Sequence, residues 1–346
     1  MGKKISESIQ HPRLKIRFLN IAPKISVILP VYNAQKYVSI AIESILTQSY
    51  KEFEFIIIND GSTDNSCDII KSYDDDRIVF INQERKGLIY TLNHGIQKAR
   101  SQYIARMDSD DISQPERLLI QLSFMKKHSN IGVLGTGCQF INSEGRLIGR
   151  KLSIIGEHSQ ILDNTLNARR GVSIIHPTAM IRKDVLLEAG GYHERFPVCE
   201  DVDLWLRIAN TSKLHVIPDV LLLFRVHQEN VSVTRRRIQL QSGILARVCF
   251  LLRSRGLPDP TLYQEDAWEE FKRVVNNTIA SSNLYRSDSA RLQLSSQLTR
   301  EKGFIKYMKF LLFLTLHPHL VEGLIAKQKW NRAINNIVNN ISQKCD

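Results

Sequence analysis

The chain has 346 residues, of which 43% are hydrophobic, and this excludes wholesale disorder and allows one large folded core. Lysine and arginine number 47 against 35 acidic residues, a formal net charge of +12 that favours an anionic partner: nucleic acid, an anionic membrane surface or a phosphorylated substrate. The five cysteines lack metal-ligand spacing, no apolar run could span a bilayer, and the N-terminus lacks the apolar segment of a signal peptide, so we expect a reduced, cytoplasmic protein.

The first part of the chain predicts strands and helices in alternation. Apolar runs rich in β-branched residues predict strands at 25–31, 53–58, 78–81, 103–107 and 131–134. Helices are predicted between them: one that Asn33 would cap, a short one around Ile69, one opened by Gly87, and one that has Pro115 in its first turn and ends near His128. This alternation predicts an α/β fold with a mostly parallel sheet, helices on both faces, and ligands at the carboxyl ends of the strands.

Beyond residue 136 the pattern is less regular. A hairpin is predicted over 139–152, with its turn at Glu144 and Gly145. Further strands are predicted at 178–181, 214–217 and 221–226, and a helix at 201–210. From about residue 236 the chain is predicted to be helical, and it is basic.

Two aspartates, Asp108 and Asp110, directly follow the fourth predicted strand. Residues two apart on a strand share a face, so we expect both carboxylates to point into one crevice. Oxygen ligands of this kind suit Mg²⁺ or Mn²⁺, which could neutralise a departing diphosphate. An acidic turn can equally cap the following helix, and for this pair alone both interpretations stay open. We interpret the neighbouring Asp111 as a solvated or capping acid.

Asp60 ends the second predicted strand and is followed by a turn sequence. Its carboxylate could accept hydrogen bonds from the base or ribose of a nucleotide at the strand terminus. The simpler interpretation is a turn in which Ser62 or Thr63 caps the next helix.

Glu200 and Asp201 open a predicted helix, where the helix dipole favours negative charge. Helix capping is again the simpler interpretation, but a carboxylate is also what a general base requires. His227 ends the last predicted strand beside Arg225, and a lone histidine is either structural or a ligand.

Six segments in this order resemble the motifs of family 2 glycosyltransferases. They are VILPVYN at 27–33, IINDGSTD at 57–64, KGL at 86–88 with LN at 92–93, DSD at 108–110, EDVDLW at 200–205 and RVH at 225–227. The resemblance covers roughly residues 24–234 and implies the GT-A fold, a Rossmann-like sheet with helices on both faces. It also implies an inverting enzyme that uses a nucleotide-sugar donor.

The resemblance assigns a role to each matching residue. On the donor side, Asp60 would hold the base, Asp108 the ribose, and Asp110 together with His227 a Mn²⁺ or Mg²⁺ ion. Further donor contacts are implied for Pro30, Tyr32, Asn33 and Lys86. On the other side, Asp201 would be the general base of a single displacement. Acceptor-side contacts are implied for Glu200, His176 and Trp205.

One departure from the family bears on processivity. The Gln-x-x-Arg-Trp segment of processive synthases is absent after Asp201, so we expect the addition of a single sugar. The resemblance implies a UDP-hexose or UDP-N-acetylhexosamine donor. It implies a saccharide acceptor, a lipid-linked intermediate of a bacterial cell-surface polysaccharide.

The motifs divide the chain into a basic N-terminal extension at 1–23, a catalytic domain at 24–234 and a helical, basic C-terminal region at 235–346. Within the last, residues 302–316 interleave lysines with apolar residues. This segment is either an amphipathic helix that packs on the catalytic domain or an interfacial helix that docks on anionic lipid. In the second case the enzyme would attach peripherally to the inner face of the cell membrane.

Two other functions could explain parts of the sequence. A sugar-nucleotide pyrophosphorylase also combines an α/β sheet with metal-binding acids, but it would have a glycine-rich basic loop where residues 30–34 stand. A nucleic-acid-binding protein would explain the net charge but not the ordered acidic motifs, and the basic residues are dispersed rather than striped with aromatics. We therefore expect no nucleic acid partner.

Overall fold

A computed structural model describes residues 22–166, 173–227, 235–254 and 256–281. Nearly all of the basic N-terminal extension and the whole segment 302–316 lie outside the described residues. The two interpretations of that segment therefore stay predictions.

The first four strands form a parallel sheet, as the sequence predicts. They are β1 (Ile25–Val31), β2 (Phe53–Asp60), β3 (Ile78–Gln83) and β4 (Tyr103–Arg106), in the spatial order β3-β2-β1-β4. The helices between them are α1 (Val38–Leu46), α2 (Ser66–Lys71) and α3 (Leu88–Lys98). Because the strands are parallel, β1, β2 and β4 all end at one edge of the sheet.

The next segments extend the sheet in mixed orientation. They are β5 (Ile112–Ser113), α4 (Arg117–Lys127), β6 (Ile131–Ile141), β7 (Leu147–Leu152), α5 (His158–Leu166), β8 (Met180–Arg182), α6 (Lys183–Glu188), α7 (Glu200–Ile208) and β9 (Lys213–Arg225). Strand β8 lies antiparallel between β4 and β6, β9 runs parallel to β6, and β7 pairs with β6 outside the main strand order. Two further helices follow, α8 (Arg236–Ser254) and α9 (Glu265–Ser281).

Apolar side chains cover both faces of the sheet. Successive side chains of β1 point to opposite faces of the sheet. Val27 and Leu29 pack with α1 and α4 on one face, and Ile28 packs with α3 and α7 on the other. This is why the inner strands are continuous apolar runs rather than alternating ones. A third cluster joins α7 to the C-terminal helices and includes Phe196 and Trp268. No helix among the described residues combines the length and apolar character that crossing a bilayer requires.

Several local predictions need correction. Asn33 does not cap α1, which begins five residues later; instead it has a φ of +48° and its side chain accepts a hydrogen bond from the backbone of Thr63 (2.8 Å). Ser62 and Thr63 do not cap α2, whose first amide, that of Ser66, is bonded by Asp64 (3.0 Å). Two predicted elements also have other bounds. Pro115 precedes the first turn of α4, and the strands predicted at 214–217 and 221–226 are one strand, β9, with register shifts against β6.

Candidate active site

The acidic turn after β4 brings three carboxylates together. Asp108, Asp110 and Asp111 each place an oxygen within 4.8 Å of the others. The strand ends at Arg106, so the two predicted ligands Asp108 and Asp110 converge because the chain turns and not because they alternate along a strand. The two carboxylates lie close together, but through a turn and not through the strand alternation that the sequence analysis assumed.

Asp111 is not the solvated or capping acid that the sequence suggested. It is 1% exposed, and its Oδ1 accepts a hydrogen bond from the backbone N–H of Arg225 (2.8 Å). Its Oδ2 is buried without a hydrogen-bond partner among the described residues. Burial, followed by repulsion from Asp108 and Asp110, raises the pKa of Asp111 well above its ordinary value.

The end of β9 is bonded to this turn. His227 Nε2 lies 2.9 Å from Asp110 Oδ2, and Arg225 Nε donates to the backbone oxygen of Asp110 (2.7 Å). The ring of Tyr37 lies against both, 4.5 Å from the guanidinium of Arg225 and 5.4 Å from the imidazole of His227. Burial first, then Asp108, raises the pKa of Asp110, while His227 opposes that rise. The structure therefore joins Asp110 and His227, which the sequence predicted to share a metal.

The carboxylate of Asp60 closes the loop that precedes α3. Its Oδ1 accepts from Gln83 Nε2 and from the backbone of Lys86, and its Oδ2 accepts from the backbone of Gly87, each at 2.8 Å. The backbone of Gly61 comes so close to Arg85 that a Cβ on Gly61 would lie 2.6 Å from the Arg85 nitrogen. Asp60 therefore shapes this loop, whatever else it binds.

The other residues predicted on the nucleotide side surround this loop. Pro30 is buried in β1, next to the strand that ends at Asp60. Tyr32 is 39% exposed, with the guanidinium of Arg85 4.0 Å from the centre of its ring. Lys86 is exposed, with its ammonium group 4.6 Å from the centre of the Tyr90 ring. An exposed aromatic ring and two cations at a strand terminus are suitable for a nucleotide.

Helix α7 begins with the two carboxyl groups predicted on the opposite side of the site. Glu200 is 8% exposed, and burial, followed by the neighbouring Asp201, raises its pKa to about 8. The pKa of Asp201 is raised as well, chiefly by burial, and its Oδ1 accepts from the backbone of Val202 (2.8 Å). At neutral pH the raised pKa of Glu200 favours its protonated form, a neutral acid beside Asp201.

His176 and Trp205 lie behind these acids. His176 is 8% exposed, with Nε2 2.7 Å from the hydroxyl of Tyr192 and Nδ1 3.7 Å from Glu200 Oε1. Burial, then Arg106, holds its pKa well below the usual range, so the ring is neutral. Trp205 is 2% exposed and meets the ring of His176 edge-on at 6.0 Å.

Arg106 is the residue that the sequence analysis did not single out. It is 4% exposed, forms an ion pair with Asp108, and interacts electrostatically with Glu200 and Tyr192. This buried cation therefore lies between the acidic turn and the acids of α7. An arginine at the end of an apolar strand, directly before three aspartates, was the available signal.

Comparisons with known proteins identify relatives of this chain. The sequence model described as Glycosyl transferase family 2 matches residues 26–190. The chain is 38% identical over 195 residues to a protein of Bacillus subtilis named putative glycosyltransferase EpsE, covering 55% of this chain and 68% of that one. It is also 38% identical over 218 residues to the O-antigen biosynthesis glycosyltransferase WbnJ of Escherichia coli, covering 61% and 83%.

A solved structure shows the same fold. The crystal structure of S. aureus TarS 1–349 in complex with UDP-GlcNAc superimposes with a TM-score of 0.58 at 16% identity, covering 92% of this chain and 89% of that one. The resemblance in sequence, the resemblance in fold and the ordered acidic motifs agree. The chain belongs to glycosyl transferase family 2 and is a glycosyltransferase built on the GT-A fold.

Proposed function

We propose that the enzyme transfers one sugar from a UDP-hexose or UDP-N-acetylhexosamine to a hydroxyl group of a saccharide acceptor, with inversion at the anomeric carbon. The observation that carries this proposal is the buried cation Arg106, which lies between the acidic turn and the acids of α7. A donor and an acceptor can then meet at one edge of the sheet. The UDP-GlcNAc complex of TarS supports this donor class.

On the donor side, Asp60 binds the base, and Asp108 the ribose. Tyr32 and Lys86 are exposed beside Asp60 and can contact the nucleotide. Pro30 and Asn33 line the same pocket, and the side chain of Asn33 accepts a hydrogen bond from the backbone of Thr63. Asp60 already accepts three hydrogen bonds from the chain, so it is held in place before the donor arrives. Such preorganisation lowers the entropic cost of binding.

A divalent cation fits the acidic turn. Three carboxylates converge there, the pKa values of Asp110 and Asp111 are raised by burial and mutual repulsion, and a buried oxygen of Asp111 lacks a partner among the described residues. Asp110, with His227 beside it, would hold Mn²⁺ or Mg²⁺. When bound, the ion would stabilise negative charge on the departing diphosphate.

On the acceptor side, Asp201 takes the proton of the attacking hydroxyl group. Its raised pKa makes it a stronger base than an exposed carboxylate, and the raised pKa of Glu200 favours a neutral acid beside it. Glu200 and the neutral His176 then present polar atoms to the acceptor, and Trp205 fixes the ring of His176 by packing against it. The acceptor would be a lipid-linked intermediate of a cell-surface polysaccharide; the name of the relative WbnJ, an O-antigen biosynthesis glycosyltransferase, supports the polysaccharide class.

The donor half of the proposal is tested by calorimetric titration of UDP, GDP and dTDP, each with and without Mn²⁺. We expect metal-dependent binding of UDP by the wild type and its loss in Asp110→Ala. Asp74→Ala, which removes an exposed aspartate outside the motifs, is the control. If none of the nucleotides binds, or if Asp110→Ala binds UDP as the wild type does, the proposed donor site is wrong.

The role of Asp201 is tested separately by Asp201→Asn. Slow hydrolysis of UDP-GlcNAc, in which water takes the place of the acceptor, needs no knowledge of the acceptor and releases UDP. We expect the variant to bind UDP normally. We expect it to hydrolyse UDP-GlcNAc at least a hundredfold more slowly than the wild type, because general base catalysis contributes roughly this much. An unchanged rate with normal UDP binding would mean that another group is the base.

A further inference from the structure

The hairpin formed by β6 and β7 has an apolar surface that no described element covers. We call residues 144–155 the hairpin surface; it comprises the turn, strand β7 and the loop that follows. Leu147 is 66% exposed and Ile155 58%, and Ile148, Leu152 and Ile154 are each more than one-third exposed. Strand β7 pairs only with β6 among the described strands, so its outer edge is open.

This clustering distinguishes the hairpin surface from the rest of the described chain. Five of the fourteen large hydrophobic side chains that are exposed lie within the nine residues 147–155. The others, such as Leu119, Leu187 and Leu262, are scattered over different elements. Leu147 lies on one face of the hairpin and Ile148 and Leu152 on the other, so the apolar side chains surround the open edge of β7. Single exposed apolar residues are normal, whereas such a concentration along one edge indicates an interaction surface.

The charges around these apolar residues indicate the kind of partner. Arg146, Arg150 and Lys151 lie among them in the sequence, against the single acid Glu144. The side chain of Arg146 is 78% exposed and lies 3.6 Å from the exposed Glu144, and Lys151 is exposed as well. Apolar side chains flanked by cations are typical of a segment that lies in the headgroup region of an anionic bilayer, because the cations meet phosphate while the apolar groups reach the acyl chains.

The hairpin surface is also attached to the active site. Arg225 Nη1 donates to the backbone oxygens of Asn142 (3.0 Å) and Ser143 (3.3 Å), at the turn of the hairpin. The same guanidinium donates through Nε to the backbone of Asp110 (2.7 Å). One side chain therefore joins the turn of the hairpin to the acidic turn, so the turn end of the hairpin surface lies near the rim of the site.

We propose that the hairpin surface docks the enzyme on an anionic lipid bilayer and so holds the active site at the membrane surface. The benefit for catalysis rests on the proposed function, since it requires a lipid-linked acceptor. The docking itself requires only the described apolar and basic residues. It is separate from the lipid interaction considered above for residues 302–316.

The test measures binding of the full chain to vesicles of phosphatidylcholine with phosphatidylglycerol and to vesicles of phosphatidylcholine alone. One variant combines Leu147→Ser, Ile154→Ser and Ile155→Ser. Its matched control combines Leu119→Ser, Leu187→Ser and Leu262→Ser, which removes a similar number of exposed apolar side chains elsewhere. We expect the wild type and the control to bind the anionic vesicles and the hairpin variant to bind at least tenfold more weakly.

A second pair of variants tests the charges. Arg146→Gln with Lys151→Gln should weaken binding to anionic vesicles about thirtyfold at low salt, since each cation near such a surface contributes roughly a factor of five. Lys126→Gln with Lys127→Gln, which removes two exposed cations from the end of α4, should change binding much less. Added salt should weaken the binding of the wild type to anionic vesicles and have little effect on the binding of the variant that lacks Arg146 and Lys151.

Three outcomes would overturn the proposal. If the hairpin variants and their controls bind vesicles equally well, another part of the chain binds the membrane. No binding by the wild type would remove the membrane as partner. A dimeric wild type that the hairpin variants convert to monomer, with vesicle binding unchanged, would identify a second copy of the chain as the occupant. UDP titration of the same variants separates these results from a failure of the proposed donor site.

Discussion

Replacing Glu200 by glutamine should change how the stability of the enzyme depends on pH. Glu200 is 8% exposed at the start of α7, and burial together with Asp201 raises its pKa to about 8. Below pH 8 the folded protein therefore contains a neutral carboxylic acid, which glutamine closely matches in shape and polarity. We expect Glu200→Gln to be nearly neutral at pH 6 and more stable than the wild type at pH 9.

The sign and the size follow from proton linkage. Between the ordinary pKa of 4.5 and about 8, the folded state keeps a proton that the unfolded chain has lost, so the free energy of unfolding falls as pH rises. Each pH unit in this window corresponds to about 1.4 kcal/mol. From pH 6 to pH 9 the wild type should therefore lose roughly 2–3 kcal/mol through Glu200, most of it below pH 8.

Urea unfolding at pH 6 and pH 9, followed by tryptophan fluorescence, measures this difference. Trp205 and Trp268 are both buried and report on α7 and on the C-terminal helices. Glu188→Gln, an exposed carboxyl group at the end of α6, is the matched control and should lose stability in parallel with the wild type. If Glu200→Gln also loses stability in parallel with the wild type, Glu200 is ionised in the folded protein and the division of roles with Asp201 is wrong.

Two other buried carboxylates give further predictions. Asp60→Asn should cost about 1–3 kcal/mol in urea unfolding and weaken UDP binding, because an amide group cannot accept from both the Lys86 and the Gly87 backbone; an unchanged stability would mean that the loop does not depend on Asp60. Asp203→Asn should cost roughly 3–5 kcal/mol, because Asp203 is fully buried and lies 2.6 Å from Arg207, whose charge would be left uncompensated; thermal unfolding within a degree of the wild type would contradict this.

The parallel half of the fold could be predicted from the sequence because its determinants are local. A run such as 53–58 is apolar on both faces, and only a strand covered by helices on both sides buries such a run. The positions of Asp60 and Asp108 follow directly, since the carboxyl ends of neighbouring parallel strands meet at one edge. The prediction failed where the hydrogen-bond partner of a side chain is distant in the sequence. Asn33, for example, accepts from Thr63 in the next loop and does not cap its own helix.

The environment of Asp111 shows why the rest of the site could not be predicted. Its burial depends on the pairing of the two-residue strand β5 with β9, which sets Ile112 opposite Leu223 and brings the backbone of Arg225 to Asp111. More than one hundred residues separate these partners in the chain, and β5 is too short for any periodicity. The same holds for Arg117, a fully buried guanidinium that donates to the backbone of Arg106 beneath the acidic turn and whose pKa burial lowers to about 9.

Helix α7, whose second residue is the proposed base Asp201, packs against a C-terminal part of the chain that has no catalytic motif in its sequence. Asp203, two residues after Asp201, faces Arg253 of α8 at 3.8 Å, and Arg253 in turn pairs with Asp259 at 3.0 Å. Leu206 of α7 is fully buried among apolar side chains of α8 and α9. The predicted domain division at residue 234 therefore describes where the motifs end, while the packing that orients α7 continues beyond it. Since a displacement of even 1 Å can be costly for a catalytic group, the C-terminal helices contribute to the position of Asp201 without touching the substrate.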